Sequence, residues 1–126
     1  MPTRYAIHKE RRLVLTIAEG RVTSDEVKSY YDRLQRDPDF DADFDHLADH
    51  TAATELDMSA DAVRVLAERC VFSRQSRRAF VATRPALFGM LRVMEAHHEG
   101  RSQVRVFYRR DEALKWLGIT DDSGLF

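Results

Sequence analysis

The chain has a single cysteine, Cys70, among 126 residues. One thiol cannot close an internal disulfide, so the composition points to a reducing, cytoplasmic setting. No apolar stretch approaches the roughly 18 residues a membrane helix needs. The opening MPTRYAIHKE also lacks the apolar core of a secretory signal. Integral membrane association is therefore not expected. Several catalytic signatures are missing too: there is no Gly-x-Ser-x-Gly elbow, no Gly-x-Gly-x-x-Gly and no P-loop. Lysine is scarce, 3 residues against 17 arginines, a bias that suggests a GC-rich bacterial genome. What remains is ordinary: 44% hydrophobic and 33% charged residues fit a globular protein. This length suits one domain, residues 1–126, with chain enough for a core.

Net charge is −1, yet it is unevenly spread. Residues 1–63 carry 8 basic and 14 acidic side chains, and residues 64–126 carry 12 and 7. In a compact fold the halves intermix, which gives either a dipolar surface or an Arg-rich face that receives an anionic ligand or partner. A pI near 6.5 and the lack of interleaved aromatic and basic residues argue against nucleic acid.

Periodicity sets out the architecture. Tyr5 to His8 and Leu13 to Ala18 read as a strand hairpin, with Gly20 breaking the second strand. Thr23 and Glu26 have capping-box spacing and start a helix with Val27, Tyr30, Tyr31 and Leu34 on one stripe. Asp37-Pro38 ends it. Phe44 to Asp49 is the expected third strand, and residues 50–58 a loop. Ser59 then caps a second helix, whose stripe of Val63, Leu66, Ala67 and Cys70 places the thiol in the core. Ser73 to Arg78 is a polar lead-in to a fourth strand, Ala79 to Ala82. An unbroken apolar run of that kind suits a parallel strand covered on both faces. Pro85 opens the third helix, lined by Leu87, Met90, Leu91 and Met94, and Gly100 closes it. A fifth strand (Val104, Val106, Tyr108) and a short helix ending at Trp116-Leu117-Gly118 complete the order β-β-α-β-α-β-α-β-α. The fold class is thus α/β, a mostly parallel sheet with an N-terminal hairpin, and residues 119–126 read as a loose tail.

The chemistry-bearing clusters are less informative. The acidic ladder Asp37, Asp39, Asp41, Asp43, Asp45 fails the calcium-loop pattern in every register: the sixth and twelfth positions never supply the required Gly and Glu. In a strand, His46 and His50 share a face while Asp49 points to the other; adjacent His97 and His98 diverge on a helix. Neither pair is a ligand set by itself, so no metal and no cofactor is expected. Ser76, among Arg74, Arg77 and Arg78, matches a short basic phosphoacceptor pattern of the kind that arises by chance. Architecture offers one site. In open α/β sheets ligands gather at the carboxyl ends of the strands, which here present Asp49, His50 and Thr51, then Thr83 and Arg84. Thr83-Arg84 precedes a helix N-terminus, which favours anions, and Phe88 and Met90 supply an apolar wall. The competing reading has Thr83 as a simple cap and Arg84 solvated.

Taken together, Asp37-Pro38-Asp39-Phe40, Leu47-Ala48-Asp49, Phe88-Gly89-Met90 and the closing Val106-Phe107 with Glu112 to Gly118 make the chain resemble the bacterial SpoIIAA-like proteins. That group is related to STAS domains and lipid-carrying CRAL-TRIO folds. The resemblance runs from Tyr5 to Leu117 and implies a small cytoplasmic regulatory or binding protein. STAS antagonists of anti-sigma factors carry a phosphorylatable Ser in Asp-Ser-Ser-Gly after the third strand. Asp49-His50-Thr51-Ala52 stands there in this chain, so the phospho-switch does not carry over.

The leading expectation is a non-catalytic STAS-like module binding a protein partner or a small, partly apolar, anionic and lipid-like ligand. Arg84 would meet the negative charge and Phe88 would line the wall. Two alternatives are an enzyme using Asp49 and His50 as an acid–base pair, and a homodimer joined through complementary charge.

Overall fold

The two longest strands run side by side and carry the rest of the molecule. The structure, a computed structural model, describes residues 3–125. Strand β1 (Thr3–His8) and β2 (Leu13–Thr23) form an antiparallel hairpin through a single 3-10 turn at Lys9–Arg11. Helix α1 (Ser24–Arg36), β3 (Asp45–Asp57), α2 (Ala60–Arg69), β4 (Arg77–Val81), α3 (Pro85–His97), β5 (Gln103–Phe107) and α4 (Arg110–Trp116) follow. The sheet order is β1-β2-β3-β4-β5, with β2 to β5 parallel. The strand and helix order is the one the sequence pattern predicts.

Because strand order never reverses, each right-handed crossover steps the same way across the sheet. Helices α1, α2 and α3 consequently pack on one face. There Tyr30, Tyr31 and Leu34, then Leu66, then Leu87 and Leu91 meet Val14, Ala18, Ala48 and Phe80. The opposite face (Leu13, Leu15, Leu47, Ala79, Val81 and Phe107) is covered by Ala113, Leu114 and Leu117 of α4 and its end. Side chains alternate between these two layers along every strand. Arg77, on the α4 face, donates to the Trp116 and Leu117 carbonyls at 2.9 and 3.0 Å and to Asp45 at 3.1 Å. It thereby satisfies the open C-terminal end of α4.

Local signals hold at the helix starts. The Glu26 N–H bonds to Thr23 Oγ1 at 3.3 Å and the Ala62 N–H to Ser59 Oγ at 3.1 Å. Four expectations need correction. Gly20 does not end β2: at φ 64° it lets the register with β3 slip as a bulge, and the strand continues to Thr23. Residues 50–57 are not loop but the second half of β3, held by ladder pairs such as Ala53 with Gly20 and Leu56 with Val22. Small and polar side chains hide that half from hydrophobic patterning. Cys70 leaves the helical stripe; it is the half-buried C-cap of α2, its thiol 3.2 Å from the Phe72 carbonyl. The chain after α4 is anchored, since Leu125 is buried in the α4 layer and Arg11 donates to the Asp121 and Ser123 carbonyls. Phe126, the last residue of the expected tail, lies outside the described residues.

Candidate functional site

Between the sheet and helices α1 to α3 lies a cavity of about 70 Å³. Strand parity builds one wall: Thr16 and Ala18 of β2, His46, Ala48 and His50 of β3, and Phe80 of β4 all face it. Helices supply the other, from Tyr30 and Tyr31 through Leu66 and Ala67 to Leu91 and His98. Half-buried Val27, Leu56, Met58, Met90 and Met94 border it as well. For scale, an engineered apolar cavity of about 150 Å³ admits benzene. This one suits a molecule of a few heavy atoms.

One end of the cavity is polar and buried. Arg78 is 1% exposed, with its guanidinium 4.4 Å from the Phe72 ring centre and 5.4 Å from that of Phe80. It donates to His46 Nδ1 at 3.2 Å, His98 Nε2 at 3.1 Å and Tyr31 Oη at 3.3 Å. His98 Nδ1 lies 2.9 Å from the Met94 carbonyl and His46 Nε2 lies 2.8 Å from Thr16 Oγ1, which in turn is 2.6 Å from Tyr30 Oη. Burial, then the Arg78 charge, holds His46 well below the ordinary histidine range and His98 down to about 4. Burial of the Tyr30 phenol pushes it above its ordinary value.

At the far end, two buried polar atoms have no hydrogen-bond partner among the described residues, Thr3 Oγ1 and His50 Nδ1. Both residues line the cavity. Burial brings His50 down to about 4, partly offset by the nearby Ala48 backbone and the Asp49 charge.

The site residues read from the sequence are not gathered at one place. Asp49 is buried beneath α4, where it accepts from Arg110 and from the Thr51 N–H (2.9 Å) and hydroxyl (2.7 Å). His50, next in the chain, faces the cavity beside Phe80 at 5.8 Å between ring centres. Thr51, Thr83 and Arg84 are exposed. Arg84, not Thr83, occupies the N-cap of α3, and its side chain makes no cap bond. The Phe88 ring stacks on Tyr108 at 3.8 Å, away from the cavity, whereas Met90 lines it.

The strand order also removes the premise of a carboxyl-end crevice, which forms where a sheet reverses direction. Sequence reasoning missed Arg78, which sits in a polar stretch. Its signal was parity with Phe80, two residues on in the same strand.

Among the described residues no group of three or more His, Cys, Asp or Glu side chains is placed to hold a metal ion. No described helix is long and apolar enough to cross a membrane.

No protein-family model and no curated protein matches the chain. Among solved structures, an uncharacterised protein from the DUF3478 family of Shewanella loihica PV-4, described as having a SpoIIAA-like fold, aligns with a TM-score of 0.61. The alignment covers 91% of this chain and 93% of that one. The chain has a SpoIIAA-like fold. Identity over the aligned residues is 17%, so the likeness is one of fold alone. Within this SpoIIAA-like fold, the internal cavity is the feature to which chemistry can be assigned.

Proposed function

We propose that the chain is a non-catalytic, STAS-like binding module that holds a small, partly apolar molecule in the cavity between its sheet and α1 to α3. The observation that carries this reading is the pairing of an apolar cavity with buried, unpartnered Thr3 Oγ1 and His50 Nδ1 on its wall. A buried polar group without a partner costs about 1–3 kcal/mol, and a bound ligand with one matching polar group removes that cost. Ligand sites of this kind are mostly apolar with a few polar groups fixing orientation. Acid–base catalysis by Asp49 and His50 has less support, because the two side chains lie on opposite faces of the sheet.

Native mass spectrometry on freshly purified protein tests the reading. A retained low-mass molecule is expected, and Ala67→Leu, which fills the cavity from α2, should lose it. Protein that emerges carrying nothing, or a filled variant that keeps its passenger, would contradict an interior site.

A further inference from the structure

We propose that the end of this cavity bounded by Thr16, Tyr30 and Tyr31 is a receptor for the carboxylate of a small apolar acid, with Arg78 behind it supplying positive charge. The inference deepens the cavity-binding reading and rests on it.

A guanidinium stays protonated in any protein environment, and a buried charge is normally paired with an opposite one. Arg78 is not. Its three hydrogen bonds go to His46, His98 and Tyr31, and none of the ion pairs among the described residues includes it. The donors then fix the protons around it. Arg78 donates to His46 Nδ1, so in the neutral ring the proton sits on Nε2 and is donated to Thr16 Oγ1. His98 must donate from Nδ1 to the Met94 carbonyl, leaving Nε2 to accept from Arg78.

Tyr31 Oη accepts from Arg78, which leaves its own hydroxyl hydrogen without an acceptor among the described residues. In the Thr16–Tyr30 pair one hydroxyl hydrogen closes the 2.6 Å bond and the other is left over. All three residues line the cavity. This wall therefore presents two O–H donors, each at the end of a hydrogen-bond chain that begins at a buried cation and is polarised by it. Besides burial, the permanent charges that lower His46 and His98 are cations, Arg78 on both and Arg101 on His98. A carboxylate accepts from both donors. An uncharged amide of the same shape accepts more weakly and brings N–H groups that meet further donors.

The test uses the whole chain labelled at its methionine methyls, since Met58, Met90 and Met94 report from the cavity wall. Isobutyrate and isobutyramide, nearly identical in shape, are titrated by NMR. Isobutyrate should shift these methyls and bind about tenfold more tightly than the amide, the scale of one hydrogen bond to a charged group. Arg78→Met endangers the fold, so Tyr31→Phe, which keeps the ring, is the deciding variant. It should bring the two affinities to within about twofold, weakening the amide much less than the acid. Equal affinities in the wild type, or an undiminished preference in Tyr31→Phe, would overturn the anion receptor and leave the cavity reading standing. If neither compound moves the methyls, both readings fall.

Discussion

Asp49 and His50 are chain neighbours that never share a compartment: Asp49 accepts from Arg110 under α4, and His50 lies beside Phe80 in the cavity wall. The pleat sends successive side chains to opposite faces, and helices cover both faces here. The two residues therefore serve different layers, Asp49 tying α4 to β3 and His50 facing the cavity.

Asp49→Asn should destabilise the protein by about 1–3 kcal/mol, because it weakens three hydrogen bonds to a buried carboxylate. Burial opposes ionisation of Asp49, but the Thr51 and Arg110 bonds outweigh it and leave its pKa below the ordinary 3.8. A depressed carboxylate stabilises the fold above its unfolded value, and that contribution is lost as pH falls through the folded one. Urea midpoints should thus separate wild type from variant at neutral pH and converge in strong acid. A gap that persists there would contradict the assignment.

Acid should weaken the fold earlier, through histidines. His50 and His98 are held at about 4 against an ordinary 6.5, and His46 is also lowered. The unfolded chain then binds more protons than the folded one, so stability drops as pH falls through about 6.5, and the His50 and His98 contributions level off near 4. Each of the two shifts to about 4 corresponds to something on the order of 3 kcal/mol. Denaturant melts at stepped pH, with imidazole titration followed by NMR, check this. A profile flat across that window would show these rings to be accessible and uncoupled.

Arg77→Met should loosen α4 while sparing the cavity, since Arg77 bonds the Trp116 and Leu117 carbonyls and Asp45 on the far face of the sheet. A loss of about 1–2 kcal/mol is expected. Trp116, the single tryptophan, packs beside Phe107 at 5.8 Å between ring centres, so its fluorescence should shift to the red. Unchanged emission would mean that α4 holds without this clasp.

Much of the fold was legible because its signals are local. Thr23 and Ser59 cap helices through bonds to residues three positions on, and the apolar run Ala79 to Ala82 marks a strand buried on both faces. The second half of β3 was not legible: Thr51, Ala52, Thr54 and Glu55 are exposed, and their strand exists through ladder bonds with β2, which leave no hydrophobic trace.

For the candidate site the division is sharper. Chain chemistry alone determined that Tyr30, Tyr31, Leu66 and Leu91 would face inward, because helical and strand periods are intrinsic to the backbone. Only the tertiary structure decided that Arg78 would be buried among His46, His98 and Tyr31 with no carboxylate beside it. Tyr31 alone lies 47 residues from Arg78 in sequence. Their meeting depends on how three crossovers stack on one side of the sheet, and no local propensity encodes that.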